Sequence, residues 1–205
     1  MELTEKEKML QGMIYDAYDP ELCKIRENVR KQITQFNCID TSEIEKRENL
    51  LQNILGSCGK NVFMLDAQFD YGCNTFIGDE FSSNFNFVVL DCASVKIGNN
   101  VLIGPNVTIA TPVHPLLPEQ RNFMYDENGN RHLYEYAKPI TIGNNVWIAS
   151  NVTICAGVTI GDGCVIGAGS VVTKDIPSNV LAVGVPCKGI RNITAEDRIN
   201  SFFNE

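Results

Sequence analysis

Histidine is scarce in this chain of 205 residues: there are two. A zinc centre built on three imidazoles has too few ligands to form. Positive charge is also in short supply. Lys and Arg number 17 against 25 Asp and Glu, a formal net charge of −8. That balance argues against nucleic acid and against anionic membrane surfaces as partners. No apolar run is long enough to span a bilayer, and no charged-then-apolar leader opens the sequence. The eight cysteines include no C-x-x-C pair, and nothing near the N-terminus suggests the secreted context that disulfides need. They are expected to be buried free thiols, packed as small hydrophobes, in a protein of the reducing cytosol. Glycine is missing between Gly12 and Gly56, and that gap sets one stretch apart from the rest.

Residues 1–57 are rich in Glu, Lys, Arg, Gln and Leu. Glu5 to Tyr15 reads as a first helix. Glu21 to Phe36 reads as a second, with Leu22, Ile25, Val29 and Ile33 at helical spacing. Ser42 and Glu45 form a capping-box pattern that opens a third, running toward Leu55 with Gly56 as its stop. Strand character starts near Val62. From Ile142 the chain repeats in sixes, led by Ile142, Ile148, Ile154, Ile160, Ile166 and Val172. The second place is small and the fifth compact. The middle pair is Asn, Asp, Gly, Ser, Ala or Lys, much of it turn material.

Six is three strand periods and not a helix period, so each hexad predicts a short strand and a corner. The β-branched leader should point inward and stack on its counterpart in the next coil. The small second residue should let the backbone turn, and Asn, Asp and Gly tolerate left-handed corners. Stacked coils bury an axis that one repeat could not. Earlier hexads start at Ile77, Ser83 and Val89. Two extra residues then shift the frame to Ile97, Ile103 and Ile109. The rhythm stops over residues 112–139, a polar stretch with His114 at its root. Long excursions from a regular scaffold are usually functional. A last turn follows at Leu181, and the tail 192–205 reads as a short exposed helix capped by Thr194, with Asp197 three residues on.

The hexads resemble those of the hexapeptide-repeat acyltransferases, and residues 1–57 resemble the N-terminal segment of the maltose and galactoside O-acetyltransferases. The resemblance implies an all-β solenoid: a left-handed parallel β-helix over residues 58–191, with an N-terminal helical cap and an extended loop. It implies acetyl transfer from acetyl-CoA to a sugar hydroxyl, without an acyl-enzyme and without a metal, by a homotrimer with its active sites between subunits. His114-Pro115 matches the family's catalytic pair. A neutral imidazole can take a hydroxyl proton near pH 7, worth about 10²–10⁴ in rate. Asp70, Asn84 and, less directly, Asp91 match acceptor-binding places. Ser150, Ala168, Thr173, Lys174, Lys188 and Arg191 match acetyl-CoA contacts, the last three facing phosphates. Glu135 falls where the maltose type has Glu and could orient His114. Ala17 and Cys92 stand where the galactoside type has acidic residues. His132 reads as a solvated loop residue. Three other readings compete: a carbonic anhydrase on similar coils, short of one histidine; a non-catalytic scaffold; and a transferase acting on a xenobiotic such as an antibiotic.

Overall fold

In the computed structural model, residues 2–199 are described. Three helices come first: α1 (Glu5–Leu10), α2 (Pro20–Cys38) and α3 (Ile44–Ile54). The rest is a left-handed parallel β-helix with three flat faces. The first face stacks Ser57–Cys58, Thr75–Ile77, Val95–Ile97, Ile140–Ile142 and Thr159–Ile160. The second runs from Phe63–Met64 through Ser82–Ser83, Leu102–Ile103, Trp147–Ile148 and Val165–Ile166 to Val180–Val183. It ends with Lys188–Asn192, which turns back antiparallel. The third stacks Ala67–Phe69, Phe87–Leu90, Thr108–Ala110, Thr153–Ile154 and Val171–Val172. No helix among the described residues is long and apolar enough to cross a membrane.

The hexad leaders behave as expected. Ile97 pairs with Ile142 and Ile142 with Ile160, while Ile109 pairs with Ile154 and Ile154 with Val172. All six leaders from Ile142 to Val172 are buried. The fifth places, Val146, Val152, Val158, Cys164, Ser170 and Ile176, are buried too. The left-handed dihedral sits at the fourth place: Asn100, Asn106, Asn145 and Asn151, then Gly157, Gly163 and Gly169. The second place is small for another reason than turning. A Cβ on Gly98 would come within 2.8 Å of the Gly143 backbone in the next coil, so coil spacing itself excludes a side chain. Ser83 departs from the pattern: it is a leader, yet its buried hydroxyl has no partner.

Several expectations are corrected. α1 stops at Leu10 because Gly12 takes φ +70, and Tyr15–Asp16 is a strand. α3 starts at Ile44 without a side-chain cap. Ser42 instead binds Asp40 through its backbone N–H and its hydroxyl, so the capping box never closes. Strand pairing within the coils begins at Ser57, before Val62. In the last turn Val180 and Ala182 face inward, not Leu181. Cys92, Cys164 and Cys187 are buried, whereas Cys38 and Cys73 are exposed. The Thr194–Asp197 capping box does form, around the short 3₁₀ turn Ala195–Asp197. The rest of the expected tail helix, from residue 200 on, lies outside the described residues.

α2 and α3 close the open end of the coils. Val29, Ile33, Phe36, Leu51 and Ile54 belong to the same apolar core as the stacked leaders. Arg47, 4% exposed, ties the cap down by donating to the carbonyls of Phe36, Ile39, Met64 and Leu65. The other side of α2 carries Leu22 into a second cluster with Met9, Tyr15, Tyr71, Cys92 and Ala137. That cluster is the floor of the site.

Candidate active site

The corner between the third and first faces is where the sixfold rhythm slips. From Phe69 to Ile77 and from Val89 to Ile97 the chain takes eight residues where a hexad takes six, and residues 111–139 leave the corner altogether. All three excursions stack on one edge of the prism. The long one is not structureless. It closes at its root as a ribbon, Pro112–Val113 against Tyr134–Ala137, with Val113 opposite Tyr136. Tyr15–Asp16 adds a third strand on the far side of Tyr134–Ala137, with Tyr15 opposite Glu135. One step beyond Val113, His114 reaches the level of Glu135. Three strands thus bring Tyr15, Glu135 and His114 into one row across the sheet.

Within that row His114 Nε2 lies 3.5 Å from Glu135 Oε2, an ion-pair separation longer than a good hydrogen bond. Glu135 is buried, 8% exposed, while the His114 side chain is half-exposed. The other carboxylate oxygen, Oε1, accepts from the Tyr15 hydroxyl and, at 3.9 Å, from the Cys92 thiol. Burial, with Cys92 and Glu135 beside it, raises the Tyr15 hydroxyl well above its usual range. Burial does the same to the Cys92 thiol. Both therefore stay protonated and act as donors, and Cys92 is no thiolate nucleophile.

Beside the row is a cleft of about 340 Å³, bordered by Tyr18 and Arg30 as well as Asp70, Tyr71, Cys92 and Glu135. Asp70 faces Arg30 at 3.6 Å. Burial raises the Asp70 carboxyl above the usual carboxylate range, against the pull of Arg30 and Arg26. Arg26 donates to the Tyr71 hydroxyl and to the Ala17 carbonyl. Asp91 is fully buried beneath them and accepts from Tyr71 N–H at 2.8 Å and from the Thr75 hydroxyl at 2.9 Å. Its carboxylate holds the 70–74 excursion in place.

The family model described as the maltose acetyltransferase hexapeptide capping motif matches residues 8–59. Those for the bacterial transferase hexapeptide and the hexapeptide repeat of succinyl-transferase match residues 139–174 and 94–114. Galactoside O-acetyltransferase of Escherichia coli K12 is 44% identical over 199 residues, covering 97% of this chain and 94% of its own. The chain belongs to the hexapeptide-repeat acyltransferases, in the maltose and galactoside O-acetyltransferase family. The crystal structure of a maltose O-acetyltransferase from Clostridium difficile 630 superposes with a TM-score of 0.86 at 46% identity, covering 94% of this chain and 98% of that one. A solved galactoside acetyltransferase in complex with coenzyme A gives a TM-score of 0.86 at 44% identity, covering 96% and 94%.

For a member of this family, the expected site residues other than Lys188 and Arg191 fall on two separate edges of one chain. Asp70, Asp91, His114, Thr173 and Lys174 belong to the third-to-first edge. Asn84, Ser150 and Ala168 belong to the second-to-third edge. The strand between them, at about 3.3 Å per residue, keeps the two edges apart. Asn84 is exposed, and its side-chain oxygen accepts from Phe85 N–H. Lys188 and Arg191 lie on the antiparallel strand that ends the second face. Among the described residues Lys174 and Lys188 make no ion pair, whereas Arg191 is gripped by both oxygens of Asp197 at 2.6 and 2.8 Å. That grip lowers Asp197 to about 2.

His132 is not the solvated residue expected. The excursion carries a short helix, Pro118–Arg121, and a hairpin that pairs Met124–Tyr125 with Arg131–His132. Arg131 packs against the rings of both Tyr18 and Phe123, 4.5 and 4.1 Å from their centroids. His132 Nδ1 sits 2.6 Å from Asp16 Oδ2, and its ring stacks on Tyr134. The Asp16 hydrogen bond, with Asp126 in support, raises the His132 ring above its ordinary 6.5. The sign follows. The attachment of the hairpin is fully present below 6.5 and is lost as pH rises through the raised value. The ring is partly exposed, so solvent weakens the pair. In Asp16→Asn the His132 ring, followed by NMR, should titrate nearer 6.5. A titration indifferent to that change would break the assignment.

Sequence reasoning missed Tyr15, Arg26 and Arg30. Tyr15 was hidden by extending the first helix past Gly12, whose position after Leu10 was the available stop signal. The two arginines point out of a helix read only for its apolar stripe.

Proposed function

We propose that this chain is an acetyl-CoA-dependent O-acetyltransferase acting on a hydroxyl of a sugar. The observation that carries the reading is His114 beside Glu135, a buried carboxylate that lines a cleft with Asp70 and Arg30, in a chain of this family. With Nε2 toward the carboxylate, that nitrogen keeps its proton and Nδ1 offers its lone pair. The acceptor hydroxyl gives its proton to Nδ1 as its oxygen attacks the thioester carbonyl carbon. The carbon–sulfur bond breaks, and the departing thiolate takes the proton back from the imidazolium. Transfer is direct and no cysteine is acylated. Glu135 holds the ring and stabilises its charged form. Asp70, in its partly buried place, accepts from sugar hydroxyls, and the Asn84 amide can donate or accept.

Acetyl-CoA is the co-substrate in this reading. Its thin pantetheine arm runs past Ser150, Ala168 and Thr173, and its phosphates meet Lys174, Lys188 and Arg191. Two lysines without an ion pair among the described residues suit that role, while Arg191 must release Asp197 to take part. The separation of Asn84, Ser150 and Ala168 from His114 and Lys174 supports a homotrimer. A neighbour's second-to-third edge set against this chain's third-to-first edge completes each site. Eight cysteines suit a reducing cytoplasm.

The test is thiol release from acetyl-CoA across a panel of sugars and of hydroxylated antibiotics, with light scattering on the same sample. Sugars should be the better acceptors, and the mass should be three times that of the chain. A Lys174→Ala, Lys188→Ala, Arg191→Ala protein should show a raised KM for acetyl-CoA. It should react normally with a short acyl thioester that lacks the nucleotide. Equal losses with both donors would remove the phosphate contacts, and no thiol release with any sugar would remove the activity.

A further inference from the structure

We propose that Tyr15, in the N-terminal cap segment, is a positioning residue for the acyl transfer: its hydroxyl fixes which oxygen of Glu135 is left to face His114. The inference rests on the reading of His114 as the base and adds a part of the molecule outside the coils.

Tyr15 is fully buried, and its hydroxyl donates to Glu135 Oε1 across 120 positions of sequence. Two features make the contact more than packing. Backbone register sets Tyr15 directly opposite Glu135 on the central strand of a three-stranded sheet, and that strand's other edge carries His114's neighbours, with Val113 opposite Tyr136. The second is the division of labour at the carboxylate. Oε1 takes the Tyr15 hydroxyl and the Cys92 thiol, while Oε2 lies 3.5 Å from His114 Nε2. A carboxylate pinned at one oxygen can rotate little about its last bond, so the other oxygen stays aimed at the imidazole. The phenol remains a donor throughout the working pH range because burial keeps it protonated. It carries no proton in the reaction.

The segment around it is anchored independently. Ala17 N–H donates to the Leu133 carbonyl at 2.8 Å, and Asp16 Oδ1 accepts from Leu133 N–H at 3.0 Å. Loss of the hydroxyl alone therefore leaves the strand docked. The chain that caps the solenoid also holds its catalytic loop.

The test is Tyr15→Phe, which keeps the ring in its pocket beside Met9 and Leu22. The expected result is a kcat about tenfold lower, the effect of about one misdirected hydrogen bond. KM for acetyl-CoA and for the sugar should stay within about twofold, a split that general loosening of the fold does not produce. In a Glu135→Gln background the same change should cost little further, because the two residues act as a unit. One measurement needs no activity. The chain has two histidines, so the His114 ring resonance is read directly by NMR, with His132→Gln for assignment. It should move in Tyr15→Phe, and also when 3-fluorotyrosine, a stronger donor of the same shape, is placed at position 15 alone. The fluorotyrosine arm still answers if Phe is poorly tolerated. An unmoved His114 resonance, or a kcat loss fully additive with Glu135→Gln, overturns the proposal. Wild-type protein that transfers no acetyl group rejects the enzymatic reading instead, and the resonance still reports whether Tyr15 holds Glu135 against His114.

Discussion

His114→Ala should fold, bind acetyl-CoA and turn over about 10²–10⁴ times more slowly than wild type. That loss corresponds to about 3–5 kcal/mol of transition-state stabilisation. The residue can be removed cheaply because its side chain is half-exposed and belongs to neither apolar cluster. Surface substitutions of that kind usually shift stability by no more than about 0.5 kcal/mol. The proposed cofactor contacts lie on other coils, so KM for acetyl-CoA should hold. Added imidazole should restore part of the rate, since the deletion leaves space beside Glu135 for a free ring. The decisive measurement is acetyl transfer by a His114→Ala protein whose melting curve matches wild type. Near-normal turnover would take His114 out of the mechanism and reopen the scaffold reading. His132→Ala is the control. It should leave the chemical step largely intact, because that ring is committed to Asp16 and the hairpin.

Ile154→Asp should abolish folding. Ile154 is fully buried and sits in the middle of the third face, between Ile109 below and Val172 above. Losing the isoleucine costs about 2–5 kcal/mol in contacts and cavity. A buried carboxylate without a partner adds a penalty of several kcal/mol. Together these approach the whole stability of an ordinary domain, about 5–15 kcal/mol. A coil cannot relax around the charge, because the coils on both sides fix its spacing. Expression and circular dichroism of Ile154→Asp, with Ile154→Val as the conservative partner, give the answer. A soluble, cooperatively melting Ile154→Asp protein would be incompatible with this core.

The hexads alone determined the solenoid. A period of six needs no long-range information: each leader carries its own instruction to face inward, and the stacking of Ile142 on Ile160 and of Ile154 on Val172 follows from repetition. His114 stood out in the sequence because it stands where that repetition breaks. The reason for the small second place was not legible, since it depends on the following coil, as where Gly161 lies against Ser178 and Gly98 against Gly143. Nor was the role of residues 12–18. A two-residue strand such as Tyr15–Asp16 has no period to read, and it exists only because Tyr134 and Glu135 supply its partners. The same holds for His132, which looked solvated in a hydrophilic stretch until Asp16 was brought to it from 116 positions away. Repetition and capping are local and are written in order along the chain. The row Tyr15–Glu135–His114 joins three segments that share no pattern, so only tertiary structure could decide it.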